Sequence, residues 1–165
     1  MTDGFRDDIA ALIPRLRRFA HALCGNREDG DDLVQTACIK ALSRAEQFTP
    51  GTRLDSWMFR IVQTSFLDDR RRAARRGPLS EPEAEALSDG GRGAASVEDR
   101  LTLARVRAEI AALPPDQRAV MALVALEGYS YREAARILDA PVGTVMSRLS
   151  RARARLAHLV GEVRP

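Results

Sequence analysis

The protein is a chain of 165 residues, of which 45% are hydrophobic and 5% aromatic, a size that suffices for one ordinary domain or two very small ones. This composition excludes a collagen, a disulfide-stapled miniprotein and a chain too polar to build a core. The 26 basic and 23 acidic residues leave a net charge of only +3, which by itself indicates no particular partner.

Three helices are predicted in the first part of the chain. Apolar residues recur at spacings of three and four over residues 5–23, the pattern of one helix face, and Gly25 with Asn26 ends this helix. The same spacing predicts a second helix over residues 33–42 and a third over 54–66, which continues into a basic tail. Residues 48–53 contain a Pro-Gly pair and are predicted to form a loop.

Residues 77–97 differ in composition from the rest of the chain. They contain two prolines, four glycines, three serines and several acidic residues, and their few large apolar side chains show no period. This composition predicts a flexible linker between two folded lobes.

Only helical patterns follow the linker, over residues 98–165. Apolar residues spaced three and four apart over 103–113 predict a fourth helix, and the pair Pro114–Pro115 ends it and begins a fifth. Ser130 is a suitable N-cap for a short helix, and a tight turn separates that helix from a last one over 145–156. Strand patterns are missing, so we predict an all-α fold with a three-helix lobe and a four-helix lobe.

The modest total charge conceals an uneven distribution. Residues 1–76 carry a net charge of +3, residues 77–99 of −5 and residues 100–165 of +5. All basic residues except Lys40 are arginines, which bind phosphate and guanine in a bidentate manner, although a GC-rich genome would produce the same preference. Two basic lobes on an acidic tether are compatible with two contacts on one DNA duplex.

Signals for secretion, membrane insertion, metal binding and catalysis are weak or missing. Without a long apolar run, we expect a cytoplasmic protein that does not insert into a membrane. His21 and Cys24 have the spacing of metal ligands, but only Cys38 and the remote His158 remain as further ligands, so buried thiols are favoured over a zinc site. We expect no cofactor and no enzymatic activity.

The strongest functional signal is a helix-turn-helix pattern over residues 128–156, where a short helix and a tight turn precede a longer basic helix. At about 100° per residue, the last helix has an apolar face and an opposite face of arginines and hydroxyls, which suits a DNA major groove. The apolar face is formed by Val145, Leu149, Ala152 and Leu156. Four arginines alone would equally suit a basic helix that closes a bundle, but the preceding helix and turn favour DNA binding.

Two charged segments carry weaker signals. Five arginines lie within residues 70–76, where they either contact nucleic acid or complement the dipole at a helix C-terminus. Four acidic residues lie within 28–32, near a helix start that they would also suit. Because acidic residues repel DNA, the functional alternative for this second segment is a protein-docking surface.

Taken together, these segments resemble a bacterial RNA polymerase sigma factor of the extracytoplasmic-function (ECF) class over nearly the whole chain. Residues 31–42 (DDLVQTACIKAL) are similar to the polymerase-docking segment of the family, and residues 53–72 to the helix that melts and reads the −10 promoter element. Residues 113–156 resemble the −35-reading domain, in which PVGTVMSRLSRARARL is the most specific stretch. The loop FTPGT at 48–52 is similar to that of the general-stress group of alphaproteobacteria.

The resemblance implies sigma region 2 at residues 1–76, a flexible acidic linker at 77–97 and sigma region 4 at 98–165. It implies core RNA polymerase (its β′ clamp helices and β flap), promoter DNA and an anti-sigma factor as partners. The implied polymerase-binding residues are Asp31, Asp32, Leu33 and Gln35. The implied −10 residues, whose loop would capture a flipped base, are Phe48, Thr52, Arg53, Arg60, Thr64, Arg71 and Arg75. The implied −35 residues are Thr144, Met146, Ser147, Arg148, Ser150 and Arg151.

Two positions depart from the family pattern, and three other functions remain open. Thr64 replaces a frequent asparagine and Met146 a frequent basic residue, so the preferred promoter sequence is expected to differ. A stand-alone helix-turn-helix regulator would bind a palindromic operator as a dimer without polymerase. A sigma-like decoy would sequester an anti-sigma factor, usually with the help of a receiver domain. A nucleic-acid-processing enzyme would need clustered carboxylates to hold metal ions.

Overall fold

The computed structural model describes residues 3–77 and 96–163, with side chains for residues 4–77 and 96–157. Within these residues every regular element is helical, which confirms the predicted all-α class and the division into three and four helices. The first lobe comprises α1 (Asp3–Cys24), α2 (Arg27–Ser43) and α3 (Leu54–Arg76). The second comprises α4 (Val97–Ala111), α5 (Pro115–Met121), α6 (Tyr131–Leu138) and α7 (Val142–Val163). Most of the predicted linker, residues 77–97, lies outside the described residues.

The break between α1 and α2 follows from two adjacent residues. Gly25 has φ +78°, a left-handed conformation that side chains other than glycine rarely adopt, so α1 ends at Cys24. The side chain of Asn26 accepts a hydrogen bond from the backbone N–H of Asp29 at 2.8 Å and caps α2. The predicted helix boundary is therefore confirmed.

The helix-turn-helix is also built from local signals. The Ser130 side chain accepts from the Glu133 backbone N–H, while the Glu133 carboxylate accepts from the Ser130 backbone N–H, a reciprocal capping box that starts α6. Asp139 ends α6 in the left-handed conformation (φ +50°), and Pro141 precedes α7. The predicted cap, turn and last helix are confirmed.

Helix α4 is longer and less buried than its apolar spacing predicts. It begins at Val97 because Ser96 and Asp99 form another capping box. None of its residues is buried, and Leu101 and Leu103 are exposed to solvent. The spacing of apolar residues therefore predicted the helix correctly, but it did not predict that these side chains remain exposed to solvent.

The two lobes share one hydrophobic core. Phe59 of α3 packs edge-to-face on Phe19 of α1, with ring centroids 5.2 Å apart, and on Tyr129 of the second lobe, 5.5 Å away. In addition, α3 lies against α6, and α1 lies against α5. The sequence left the relative placement of the lobes open, whereas the structure packs them against each other.

In the described parts of the chain, no helix combines the length and the apolar character needed to cross a membrane.

Candidate nucleic-acid interface

One face of helix α7 is exposed to solvent, and the opposite face is packed against the rest of the second lobe. Val145, Leu149 and Ala152 are buried against the second lobe, as the helical wheel predicted. On the opposite side, a continuous row of side chains is exposed to solvent: Met146, Ser147, Ser150 and Arg151. A helix anchored on one face and polar on the other can enter a major groove without losing its packing.

Two implied −35 residues are held more tightly than the rest. The Nε of Arg148 lies 3.2 Å from Oδ2 of Asp116 on α5, which leaves the Arg148 side chain about one-third exposed. Thr144 is half-buried, and its carbonyl accepts a 3.0 Å hydrogen bond from the Ser147 hydroxyl. Thr144 and Arg148 therefore lie beside the exposed row and are less accessible than its members.

The loop between α2 and α3 is ordered by an aromatic cluster. Phe48 packs against Phe5 and Trp57, with ring centroids 5.6 and 5.3 Å apart, and is half-buried. Thr52 is exposed, and its hydroxyl donates to the Thr49 carbonyl at 2.7 Å. The loop therefore has a defined shape, but in this state Phe48 stacks on protein rings.

Two implied −10 arginines contact acidic residues of the second lobe. Arg53 binds both carboxylate oxygens of Asp55, at 3.1 and 2.8 Å, and also contacts the Glu133 carboxylate on α6. An Nη of Arg60 lies 3.8 Å from Asp139 at the end of α6. Burial opposes ionisation of Asp55, but hydrogen bonds, from Arg53 foremost, hold its pKa well below the usual range.

The remaining −10 residues face solvent along α3. Thr64 is exposed, although its hydroxyl donates to the carbonyls of Arg60 and Ile61. Arg71 and Arg75 are exposed in the basic tail, where Arg71 lies 3.5 Å from Asp68. This end of α3 therefore remains available to phosphate groups.

The acidic residues of α2 fall into two groups: Asp31 forms an ion pair with α1, whereas Asp32 faces solvent. Asp31 accepts two hydrogen bonds from Arg17 of α1, at 2.9 and 2.7 Å, and lies 2.7 Å from the His21 ring. These contacts lower the pKa of Asp31 to about 2. Asp32 and Gln35, by contrast, are exposed.

Leu33 is held differently from the other implied polymerase-binding residues. It is only 4% exposed and belongs to the hydrophobic core, so little of its side chain is accessible, and its contact with polymerase stays a prediction. Sequence analysis missed Ile39, which is 64% exposed on the same helix. The signal for Ile39 was its spacing, since residues four apart, such as Gln35 and Ile39, lie on one face of a helix.

Comparisons with known proteins place both lobes in one family. The profile "Sigma-70, region 4" matches residues 103–156, and the profile "Sigma2 domain of PhyR" matches residues 9–63. The ECF RNA polymerase sigma factor EcfG of Rhodopseudomonas palustris is 40% identical over 162 residues, covering 97% of this chain and 87% of that protein. The chain belongs to the ECF RNA polymerase sigma factor family. Within it, the EcfG match supports the alphaproteobacterial group.

Other sigma factors are similar over most of the same span. The ECF RNA polymerase sigma factor SigM of Mycobacterium tuberculosis is 36% identical, with 89% of this chain and 72% of that protein covered. Among solved structures, sigma factor RpoE of Bartonella quintana, in complex with the anti-sigma factor NepR, is 30% identical with a TM-score of 0.82. That match covers 99% of this ECF sigma factor and all of the RpoE chain, so both lobes superpose together.

Proposed function

We propose that this ECF sigma factor binds core RNA polymerase and directs it to a class of promoters. The −35 element is read by α7, and the −10 element by the loop at 48–53 together with the exposed face of α3. The observation that carries this proposal is the exposed row on α7, in a helix-turn-helix that belongs to a chain 40% identical to EcfG. The protein supplies recognition, and the phosphodiester chemistry belongs to the polymerase.

The side chains of the exposed row suit base readout. Arg151 can donate two hydrogen bonds to guanine or one to a phosphate, and Ser147 and Ser150 can bond to base edges or phosphates. Met146 is apolar and suits contact with a thymine methyl group. The promoter class is therefore expected to contain both a guanine and a thymine opposite this helix.

For the polymerase contact we propose the exposed face of α2. Asp32, Gln35 and Ile39 lie three and four residues apart on this face. An apolar side chain surrounded by polar ones is typical of the centre and rim of a protein interface. This surface keeps Asp32 and Gln35 from the set that the resemblance implied and adds Ile39, which is 64% exposed.

Reconstitution tests this function directly. The protein is mixed with core RNA polymerase and a fragmented genomic template, and the transcripts are sequenced. We expect initiation at a small set of sites that share −35 and −10 elements. Uniform, template-wide initiation, or no binding to core enzyme on a sizing column, would contradict the proposal. Tight and specific binding to a palindromic duplex without polymerase would favour a stand-alone regulator.

We further propose an anti-sigma factor as a partner, bound in a groove between α1 and α4. The apolar floor of the groove includes Leu103, Ile110 and Leu126, and its rim carries Arg18 and Arg27. An acidic amphipathic helix matches this arrangement. Support comes from the related RpoE, which was solved in complex with the anti-sigma factor NepR.

A matched pair of variants tests the groove. Leu103→Asp is expected to weaken binding of an anti-sigma factor of the NepR kind at least tenfold in calorimetry, because a charge enters an apolar contact. Leu101→Asp is the control, since Leu101 is also exposed on α4, even more than Leu103, but does not line the groove. Equal effects of the two substitutions would contradict this location.

A sigma-like decoy is the second candidate, because the first-lobe profile carries the name of PhyR. The Bartonella quintana PhyR chain, described as an anti-anti-sigma factor, is 17% identical to this chain, which shows the fold alone. A decoy would bind the anti-sigma factor but not core polymerase. The reconstitution above therefore separates the two candidates.

We also expect the protein to act in the cytoplasm, because that is where the bacterial polymerase transcribes.

A further inference from the structure

We propose that Phe5, in the first turn of α1, is a positioning residue for −10 recognition. Together with Trp57 it holds the ring of Phe48 in place and so fixes the loop at residues 48–53 before DNA binds. This role rests on the proposed function, in which that loop reads the −10 element. The profile that matches the first lobe begins at residue 9, so Phe5 lies outside the matched segment.

Phe5 lies one turn before the buried part of α1 begins. Its neighbours at position 4 and at positions 6–8 are exposed, and Ile9 is the first buried residue among the described side chains of α1. Phe5 itself is half-buried, and its ring packs on the rings of Phe48 and Trp57. The first turn of α1 therefore reaches the loop and the start of α3 through this one side chain.

The three rings form an aromatic cluster that joins three segments of the first lobe. Phe5 comes from α1, Phe48 from the loop and Trp57 from the first turn of α3. The ring centroids of Phe5 lie 5.6 Å from Phe48 and 6.3 Å from Trp57, and those of Phe48 and Trp57 are 5.3 Å apart. All three pairs are tilted at separations at which aromatic rings attract each other, so each ring is held by the other two.

The beginning of the loop has little else to hold it. Among residues 48–53, all of which the structure describes, only Phe48 is not exposed. The backbone N–H and the hydroxyl of Thr52 both donate to the Thr49 carbonyl, at 3.2 and 2.7 Å, but these hydrogen bonds lie within the loop. Arg53 ties the end of the loop to Asp55. The attachment at the beginning of the loop is therefore the aromatic cluster.

A loop that is ordered in advance loses less conformational entropy when DNA binds. Without the Phe5 ring, Phe48 would keep Trp57 as its one partner in the cluster, and the loop would have to be ordered at the moment of binding. The loss should affect base discrimination most, because base readout depends on exact geometry, whereas phosphate contacts only position the protein. A side chain that merely stabilised the fold would leave this discrimination unchanged well below the melting temperature.

The fluorescence of Trp57 tests the cluster in the free protein, because Trp57 is the single tryptophan of the chain. Phe5→Ala removes one of the two rings that cover it, so the emission should move to longer wavelength and acrylamide should quench it more strongly. Phe5→Tyr keeps the ring and should behave like wild type. Tyr131→Ala is the control, since it removes a half-buried ring from α6 of the second lobe and should leave the emission unchanged.

Transcription by the reconstituted holoenzyme tests the role in recognition. Wild type and variants transcribe a promoter found by the reconstitution above and the same promoter with single −10 substitutions. The preference for the unchanged −10 element should fall about fivefold in Phe5→Ala, as expected for the loss of one aromatic pair, and Phe5→Tyr should restore it. The preference at the −35 element and binding to core polymerase should not change.

A second variant keeps the proposal testable if circular dichroism shows that Phe5→Ala is unfolded. Phe5→Leu retains an apolar side chain but loses the ring, so it should change the Trp57 emission and the −10 preference in the same direction. Native folding with an unchanged emission would overturn the role of Phe5 in the cluster.

The transcription assay also separates this role from the proposed function. If the wild-type holoenzyme shows no preference among the −10 templates, the proposed function fails and the positioning role falls with it. If the wild type has a −10 preference that Phe5→Ala retains in full, the positioning role alone is overturned. An equal loss at the −10 and −35 elements would indicate general destabilisation and would also contradict it.

Discussion

Asp31 illustrates how a residue with a functional pattern can have a structural role. Its carboxylate is shared between Arg17 and His21, which join α1 to α2. The pKa of Asp31 is lowered to about 2, whereas an unfolded aspartate titrates near 4. The stabilisation is therefore fully present above about pH 4 and is lost as the pH falls towards 2.

We expect Asp31→Asn to lower the free energy of unfolding at neutral pH by about 0.5 kcal/mol, because the pair is partly exposed. The difference from wild type should shrink between pH 4 and pH 2. Asp32→Asn is the control, since Asp32 is exposed on the same helix and has no ion pair within the described residues. Urea denaturation at several pH values measures both, and a pH-independent difference would contradict the role given to Asp31.

Arg151 is the residue on which −35 recognition is expected to depend most. Arg151→Ala should cost about 1–3 kcal/mol of discrimination if the guanidinium contacts a base. Arg105→Ala, which removes the same charge from the exposed surface of α4, should leave promoter choice unchanged. Run-off transcription from templates with single −35 substitutions measures the difference, and an identical template ranking for Arg151→Ala and wild type would refute a base contact.

At the scale of the element, one face of α2 packs into the core and the opposite face is exposed to solvent. Leu33 is part of the core, and Ile39 is exposed. We expect Ile39→Asp to abolish co-purification with core polymerase without changing the melting temperature. Leu33→Ala should instead destabilise the fold by about 2–5 kcal/mol, as large-to-small changes in a core do. A loss of stability in Ile39→Asp would show that this side chain is not free for docking.

Most helix boundaries were predictable because they depend on neighbouring residues. Gly25 and Asn26 separate α1 from α2, and Ser130 with Glu133 starts α6 through contacts that span only three residues. The start of α4 was placed too late, although the same Ser-x-x-acid signal stands at Ser96. The spacing of core-facing apolar residues cannot locate the start of a helix whose first turns do not contact the core.

At the scale of the whole molecule, the interlobe contact should control the reactivity of Cys24. Burial, with a smaller contribution from Asp29, raises the pKa of this thiol to about 12, so little reactive thiolate exists at pH 8. Arg118 of the second lobe lies beside the adjacent Gly25. Opening of the lobes is expected to return this region to water.

We therefore expect iodoacetamide to modify Cys24 slowly in wild type and severalfold faster in Tyr129→Phe, which removes the hydrogen bond that the Tyr129 hydroxyl donates to Asp55 of the first lobe. Cys38 lies on α2 and serves as an internal control, with a rate that should not change. Peptide mass spectrometry after timed alkylation measures both sites in one sample. Equal acceleration at the two cysteines would indicate general loosening rather than separation of the lobes.

The sequence by itself determined the helices, their caps, the helix-turn-helix and the family, because these depend on residue types at short, regular spacings. Only the tertiary structure decided that Leu33 is core while Ile39 is exposed, and that Arg53 and Arg60 contact the second lobe. The physical reason is that burial and ion pairing depend on which elements meet in space. Glu127 and Arg15 are 112 residues apart in the chain and 2.9 Å apart in the fold, a proximity that no local pattern encodes.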